Sequence, residues 1–140
     1  MKVLLDTCVI SETTRPGGLQ RVRDRVAALR AEDTFLSAIT VGEITNGIAR
    51  LDSGRKKDAL EAFLLRLEQD FENRILNIDV EAARIWGETT ARARIRGKVV
   101  PPTDGLIAAT ALRHGLHVMT RNVNNFKETG VLIVNPWENA

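Results

Sequence analysis

Apolar positions along this chain follow two alternating spacings. Short apolar runs stand at KVLLD (2–6), TFLS (34–37), RILNID (74–79), HVMTR (117–121) and VLIVN (131–135), each of strand length. Between them the apolar residues step by three and four. Leu19, Val22, Val26 and Leu29 do so, then Val41, Ile44, Ile48 and Leu51, then, after the turn-like DSGRKKD, Leu60, Phe63, Leu64, Leu67 and Phe71. That spacing predicts helices with one buried stripe. A further helix is predicted from a cap at Asp79 through about Ile95, closed by Gly97. Pro101 and Pro102 break the chain before TDGLIAATALRHG, a helix of small apolar residues ended by Gly115. Leu106 to Leu112 has almost no polar face, which predicts a helix buried between neighbours. Strands alternating with helices predict an α/β fold: one domain over 1–140, with a mostly parallel central sheet of about five strands flanked by helices.

Composition adds constraints. Of the 140 residues, 44% are hydrophobic, enough for one core, and 27% are charged, as in a soluble protein. No apolar run approaches the roughly 20 residues needed to cross a bilayer. The strand-like start lacks the basic region and cleavage site of a signal peptide. Cys8 is the only cysteine, so no internal disulfide or cysteine-rich zinc site can form, and a reducing cytoplasm is the expected home. Net charge is only +2, but arginines cluster in RVRDR (21–25), RKK (55–57) and RARIRGK (92–98). One such cluster reads as a solvated helix face. Three in a small domain point to a polyanionic partner, because guanidinium groups contact phosphate bidentately.

Three acidic residues stand out by position. Asp6 ends the first strand, Glu43 lies just inside the helix after the second, and Asp104 opens the small-residue helix. Each has an ordinary structural reading. Asp6 can cap a helix starting at about Val9. Glu43 follows Thr40 at the spacing of a capping box. Asp104 suits the first turn of a helix. The carboxyl ends of parallel strands nevertheless share one edge of the sheet, where ligands bind. Carboxylates gathered there repel one another unless a cation lies between them, and hard oxygen donors suit Mg²⁺ or Mn²⁺. The only histidines, His114 and His117, flank a helix–strand turn rather than forming an acid–base pair.

LLDTCVISE, SAITVGEI, PPTDGLIAATALRHG and VMTRN followed by Phe126 resemble the PIN-domain ribonucleases, in order and over essentially the whole chain. They look like the VapC toxins of bacterial toxin–antitoxin pairs, and the closing NPW (135–137) resembles the FitB-like branch. The resemblance implies that Asp6, Glu43 and Asp104 form an acidic pocket for one or two divalent ions, Mg²⁺ or Mn²⁺. The fourth position of that pocket is usually Asp; here Thr120–Arg121–Asn122 places Asn122 there, which bears on a second, tightly held metal more than on activity. The resemblance further implies a cytoplasmic, metal-dependent endoribonuclease leaving 5′-phosphate and 3′-hydroxyl ends. Its implied partners are RNA, a small VapB-like antitoxin and a second copy in a homodimer within a toxin–antitoxin hetero-oligomer. Promoter DNA would be reached only through the antitoxin, and no membrane is involved. An alternative is a nucleic-acid-binding regulatory module acting with the antitoxin at promoter DNA, with cleavage secondary. A phosphotransfer domain fits poorly, since LLDTCVI has no second acid beside Asp6 and HVMTRN no lysine. Aromatic residues are few and mostly on core stripes, so base stacking is not expected to dominate. The basic residues best placed to offset the acidic pocket are Arg92, Arg94, Arg96 and Lys98.

Overall fold

Val3, Leu4 and Leu5 are buried and form the middle strand, β1 (Val3–Leu5), of a five-stranded sheet. The computed structural model describes residues 1–138, so the expected domain span of 1–140 runs two residues past them. The other strands are β2 (Thr34–Ser37), β3 (Ile75–Leu76), β4 (His117–Met119) and β5 (Ile133–Val134). Their order is β3-β2-β1-β4-β5, and every pairing is parallel. The expected α/β fold is thus observed. The ladders are shorter than the apolar runs, because residues flanking them turn into helix caps: Asp79, at the end of RILNID, accepts the Ala82 N–H at 2.8 Å.

Successive strand residues face opposite sides of a sheet. Leu4 and Val118 point to one face, packed with Ile107, Ala108, Ala111 and Phe126. Val3, Leu5, Leu36 and Met119 point to the other, against Val9, Ile10 and Leu67. The helices covering these faces are α1 (Thr7–Thr14), α2 (Gln20–Ala27), α3 (Ala38–Ala49), α4 (Arg55–Asp70), α5 (Val80–Ile95), α6 (Pro102–His114) and α7 (Val123–Phe126).

Several helix starts differ from the sequence reading, and α4 begins at Arg55, inside the stretch read as a turn. Helix α1 begins at Thr7 rather than about Val9, since Asp6 caps it directly by accepting the Thr7 N–H at 2.8 Å. Leu19 precedes α2 and is 44% exposed, so the buried stripe of that helix begins at Val22. Ser37, not Thr40, caps α3 by accepting the Ile39 N–H at 3.1 Å, and Thr40 lies inside the helix, fully buried. The capping box therefore does not form, and Glu43 sits in the second turn. Helix α6 opens on Pro102, whose missing N–H is no loss in a first turn. It is buried over Ile107–Ala111, as its lack of a polar face predicts. At Gly105 a Cβ would lie 3.0 Å from Trp86 Cδ1, so a glycine there lets α5 and α6 lie close.

The chain passes from β1 to β2 on one side and reaches β4 on the other. Strand order reverses at β1, and a crevice opens where β1 and β4 end.

Candidate active site

Asp6 follows β1 at this crevice and is only 3% exposed. A carboxylate so deeply placed needs donors, and it has them. Its Oδ1 accepts the Thr7 N–H at 2.8 Å, and its Oδ2 accepts the Thr120 hydroxyl at 2.8 Å, with the Cys8 thiol 3.6 Å away. Asp6 is thus a helix cap with a second oxygen turned toward the end of β4. Thr7 links it to the next acid: its hydroxyl donates to Glu43 Oε1 at 2.7 Å. One residue therefore orients two carboxylates, one through its backbone and one through its side chain.

Asp104 reaches the crevice from the first turn of α6, where its Oδ2 accepts the Asn125 side-chain amide at 2.9 Å. Its carboxyl is pushed up to about 6, by burial first, then by the Asp6 charge and then by Glu43, with the Asn125 hydrogen bond opposing. The structure therefore brings all three predicted acids within electrostatic reach of one another. Burial and the same Asp6 charge push the Cys8 thiol up as well. Among the described residues, no arginine, lysine or histidine is ion-paired with Asp6, Glu43 or Asp104.

Asn122 behaves differently. Its backbone N–H donates to Thr120 Oγ1 at 2.9 Å, and the residue is exposed ahead of α7. The amide that touches an acid belongs to Asn125, one helical turn further on. Thr7, Thr120 and Asn125 are polar supports that the sequence did not single out. The histidines lie elsewhere: His117 pairs with Val3 at the amino end of the sheet.

Oxygen-only donors carrying uncompensated negative charge suit a hard divalent cation. Among the described residues no three acidic, histidine or cysteine side chains close into a ready-made metal cluster. Mutual repulsion spreads such oxygens, and Thr7 already engages one oxygen of Glu43. The donor set fits Mg²⁺ or Mn²⁺ in kind.

This arrangement, three acids on separate elements at the β1/β4 switch point, can be compared with known proteins. The model of the PIN domain matches residues 3–132. The chain belongs to the PIN-domain family. Toxin FitB of Neisseria gonorrhoeae is 43% identical over 139 residues, covering 96% of this chain and 98% of that protein. VapC ribonuclease Y4jK of Sinorhizobium fredii is 38% identical over 142 residues, covering 99% of each. Among solved structures, FitAB bound to an IR36 DNA fragment superposes with a TM-score of 0.93 at 40% identity, covering 99% of this chain and 97% of that one. PIN-domain ribonucleases are generally dependent on divalent metal. Among the described residues of this PIN domain, no helix is long and apolar enough to cross a membrane.

The PIN domain uses its arginine clusters unevenly. Arg21 donates to the Trp137 carbonyl at 2.9 Å, and Arg25 to those of Asn135 and Glu138 at 3.2 and 2.6 Å, so RVRDR fastens the C-terminal segment. Arg96 pairs with Glu128. Two clefts carry cationic side chains in their walls. One, of about 500 Å³, is lined by Arg121 and the amides of Asn122, Asn124, Asn125 and Asn135, with Glu138. The other, of about 490 Å³, lies between the end of α5 and the start of α6, with Trp86, Thr90, Arg94, Lys98, Val99 and Pro102 in its walls.

Proposed function

We propose that this PIN domain is the toxin of a toxin–antitoxin pair and a metal-dependent endoribonuclease that hydrolyses RNA at Asp6, Glu43 and Asp104. The observation that carries this reading is the electrostatic coupling of Asp104 to Asp6 and Glu43 with, among the described residues, no cationic side chain paired to any of them. Such a cluster is costly for the fold unless a cation offsets it.

Asp6, Asp104 and Glu43 would hold one Mg²⁺ or Mn²⁺. When bound, a divalent ion polarises the scissile phosphate and acidifies a water for in-line attack. The residues around it do the positioning. Thr120 and the Thr7 N–H fix both oxygens of Asp6, and Asn125 orients Asp104. Glu43 has one oxygen held by Thr7, which leaves the other to complete the ligand shell or to take the proton of the attacking water. The 3′ oxygen departs protonated by solvent or neutralised in place, leaving 5′-phosphate and 3′-hydroxyl ends. Asn122 supplies at most a neutral oxygen from outside this cluster, which favours a single tightly held ion.

The partners follow from the relatives. A VapB-like antitoxin would silence the domain in a hetero-oligomer built on a homodimer, and promoter DNA would be contacted through that antitoxin. The cytoplasm, where RNA is met, is the proposed location. The test is cleavage of RNA by the purified chain in Mg²⁺ or Mn²⁺, with chelator and Asp104→Ala as controls and the RNA ends mapped. Cleavage that survives both controls would exclude the site. A second reading, a regulatory module at promoter DNA with cleavage secondary, is favoured by the FitAB relative having been solved on DNA. It requires intact promoter binding, together with the antitoxin, by a chain that cuts no RNA.

A further inference from the structure

Many cations of this chain are engaged. Arg21 and Arg25 hold the C-terminal segment, Arg74 donates to the carbonyls of Ala31, Thr34 and Asp70, Arg96 pairs with Glu128, and Arg113 with Asp79 and Glu81. The groove between α5 and α6 gathers two that are not. Its two charged wall residues, Arg94 and Lys98, are both exposed, and among the described residues neither forms an ion pair.

Local geometry sets these two side by side. Helix α5 ends at Ile95, and Gly97 adopts φ +77°, a left-handed conformation open to glycine at little steric cost. The turn brings the Lys98 N–H back onto the Ala93 carbonyl at 2.9 Å, so Lys98 returns to the helix end that carries Arg94. Among the described residues, no carboxylate lines the groove. Its far wall is Pro102, the first residue of α6, two positions before Asp104. Apart from Thr90, the remaining walls are apolar, with Val99 88% exposed.

We propose that this groove is the track that holds a single RNA strand beside Asp104, with Arg94 and Lys98 on successive phosphates and Val99 and Pro102 against the sugar and base faces. The proposal rests on the ribonuclease reading and adds where the substrate lies. The occupant follows from charge and surface. Two unopposed cations on one wall attract a polyanion. An A-form duplex presents phosphate and sugar to a protein and leaves apolar walls uncovered, whereas a single strand has base faces to offer. A second copy of the chain docked here about a two-fold axis would set this cationic face against itself. The amide-lined cleft that includes Asn125 is the weaker track. It includes Glu138, and its one cation, Arg121, has its guanidinium 5.4 Å from the centre of the Trp137 ring.

The test uses the full chain carrying Asp104→Asn, so that RNA is bound and not cut, with a fluorescein-labelled single-stranded RNA 12-mer of mixed sequence read by anisotropy. Arg94→Glu with Lys98→Glu should weaken binding by about tenfold or more and lower the salt slope by about 1.4, the loss of roughly two phosphate contacts on a single strand. The same charge change at Arg55 and Lys56, on α4, should weaken binding less than about threefold. Equal losses in the two pairs, or none in the first, would overturn the track. So would equally tight binding of an RNA duplex of the same length. A changed sedimentation coefficient in the first pair with RNA affinity intact would assign the groove to a second copy instead. Cleavage of total RNA in Mn²⁺ by chains with native Asp104 separates the two readings. Unchanged cleavage in the first pair overturns the track and leaves the nuclease standing; no cleavage by the unsubstituted chain overturns the nuclease and the track with it.

Discussion

The side-chain amide of Asn125 donates to Oδ2 of Asp104 across 2.9 Å, tying the first turn of α6 to the short helix after β4. This bond opposes the burial and the neighbouring charges that lift the Asp104 carboxyl to about 6. Asn125→Ala should therefore raise that carboxyl further and let it swing. Cleavage by Asn125→Ala should fall about tenfold or more, while Asn122→Ala costs much less and Asp104→Ala abolishes it, since a neutral amide supplies less charge stabilisation than a carboxylate. Initial rates across pH 5–8 would check this. A larger loss at Asn122 than at Asn125 would reverse the assignment.

Thr7 holds Glu43 through a hydroxyl and Asp6 through a backbone N–H. Thr7→Val removes the first bond, with the longer 3.5 Å contact to Thr40 Oγ1, and keeps the second. The expected result is a drop in kcat of about tenfold with a stability loss of about 0.5–1.5 kcal/mol, the ordinary net value of one hydrogen bond. Thr7→Ser should restore most of the rate. If serine rescued stability but not kcat, the hydroxyl would be a packing feature and not a support for Glu43.

Burial and like charge around Asp104 also shape stability without metal. Its carboxyl lies near 3.8 in the absence of the fold and at about 6 within it. The folded state thus binds the proton more tightly, so this group's contribution favours folding fully below about pH 3.8 and is lost as pH rises through about 6. In chelator, Asp104→Asn should raise Tm at pH 7 relative to the unsubstituted chain, and the difference should shrink by pH 4. Comparing the two proteins cancels the other groups that titrate in that window. Parallel melting curves from pH 4 to 7 would show that the carboxylate is not strained in the fold.

Much of this site was legible in the chain because its acids are tied to element ends. Asp6, Glu43 and Asp104 each adjoin a strand end or helix start, and parallel topology carries such positions to one edge. Their supports were harder to read. Asn125 acts through α7, four residues long, too short to show a hydrophobic period. Ser37 and Thr40 are both hydroxyl residues near one helix start and both are buried; only the folded backbone, which aims the Ile39 N–H at Ser37 Oγ, decides between them. The arginines at 21 and 25 resembled a phosphate-binding cluster. Their partners are backbone carbonyls more than a hundred positions away, which local spacing cannot reveal.

Asp6 is both a cap and a candidate ligand, and melting experiments can separate the two roles. Its Oδ1 caps α1, a role worth about 0.5–2 kcal/mol that an asparagine oxygen can keep. Its charge, in contrast, adds to the cap only a small dipole interaction at the start of α1 and acts to raise Asp104. Asp6→Asn should therefore match the unsubstituted chain in chelator, or exceed it, because one repulsive charge is gone. Adding Mg²⁺ or Mn²⁺ at about a hundredfold excess over Kd should stabilise the unsubstituted chain by about 2.7 kcal/mol. Asp6→Asn should lose most of that gain together with RNA cleavage, while Asp6→Ala should also lose the cap and melt lower even in chelator. A metal-induced rise in Tm that is the same in Asp6→Asn and the unsubstituted chain would reduce Asp6 to the end of a helix and move the cation elsewhere in the crevice.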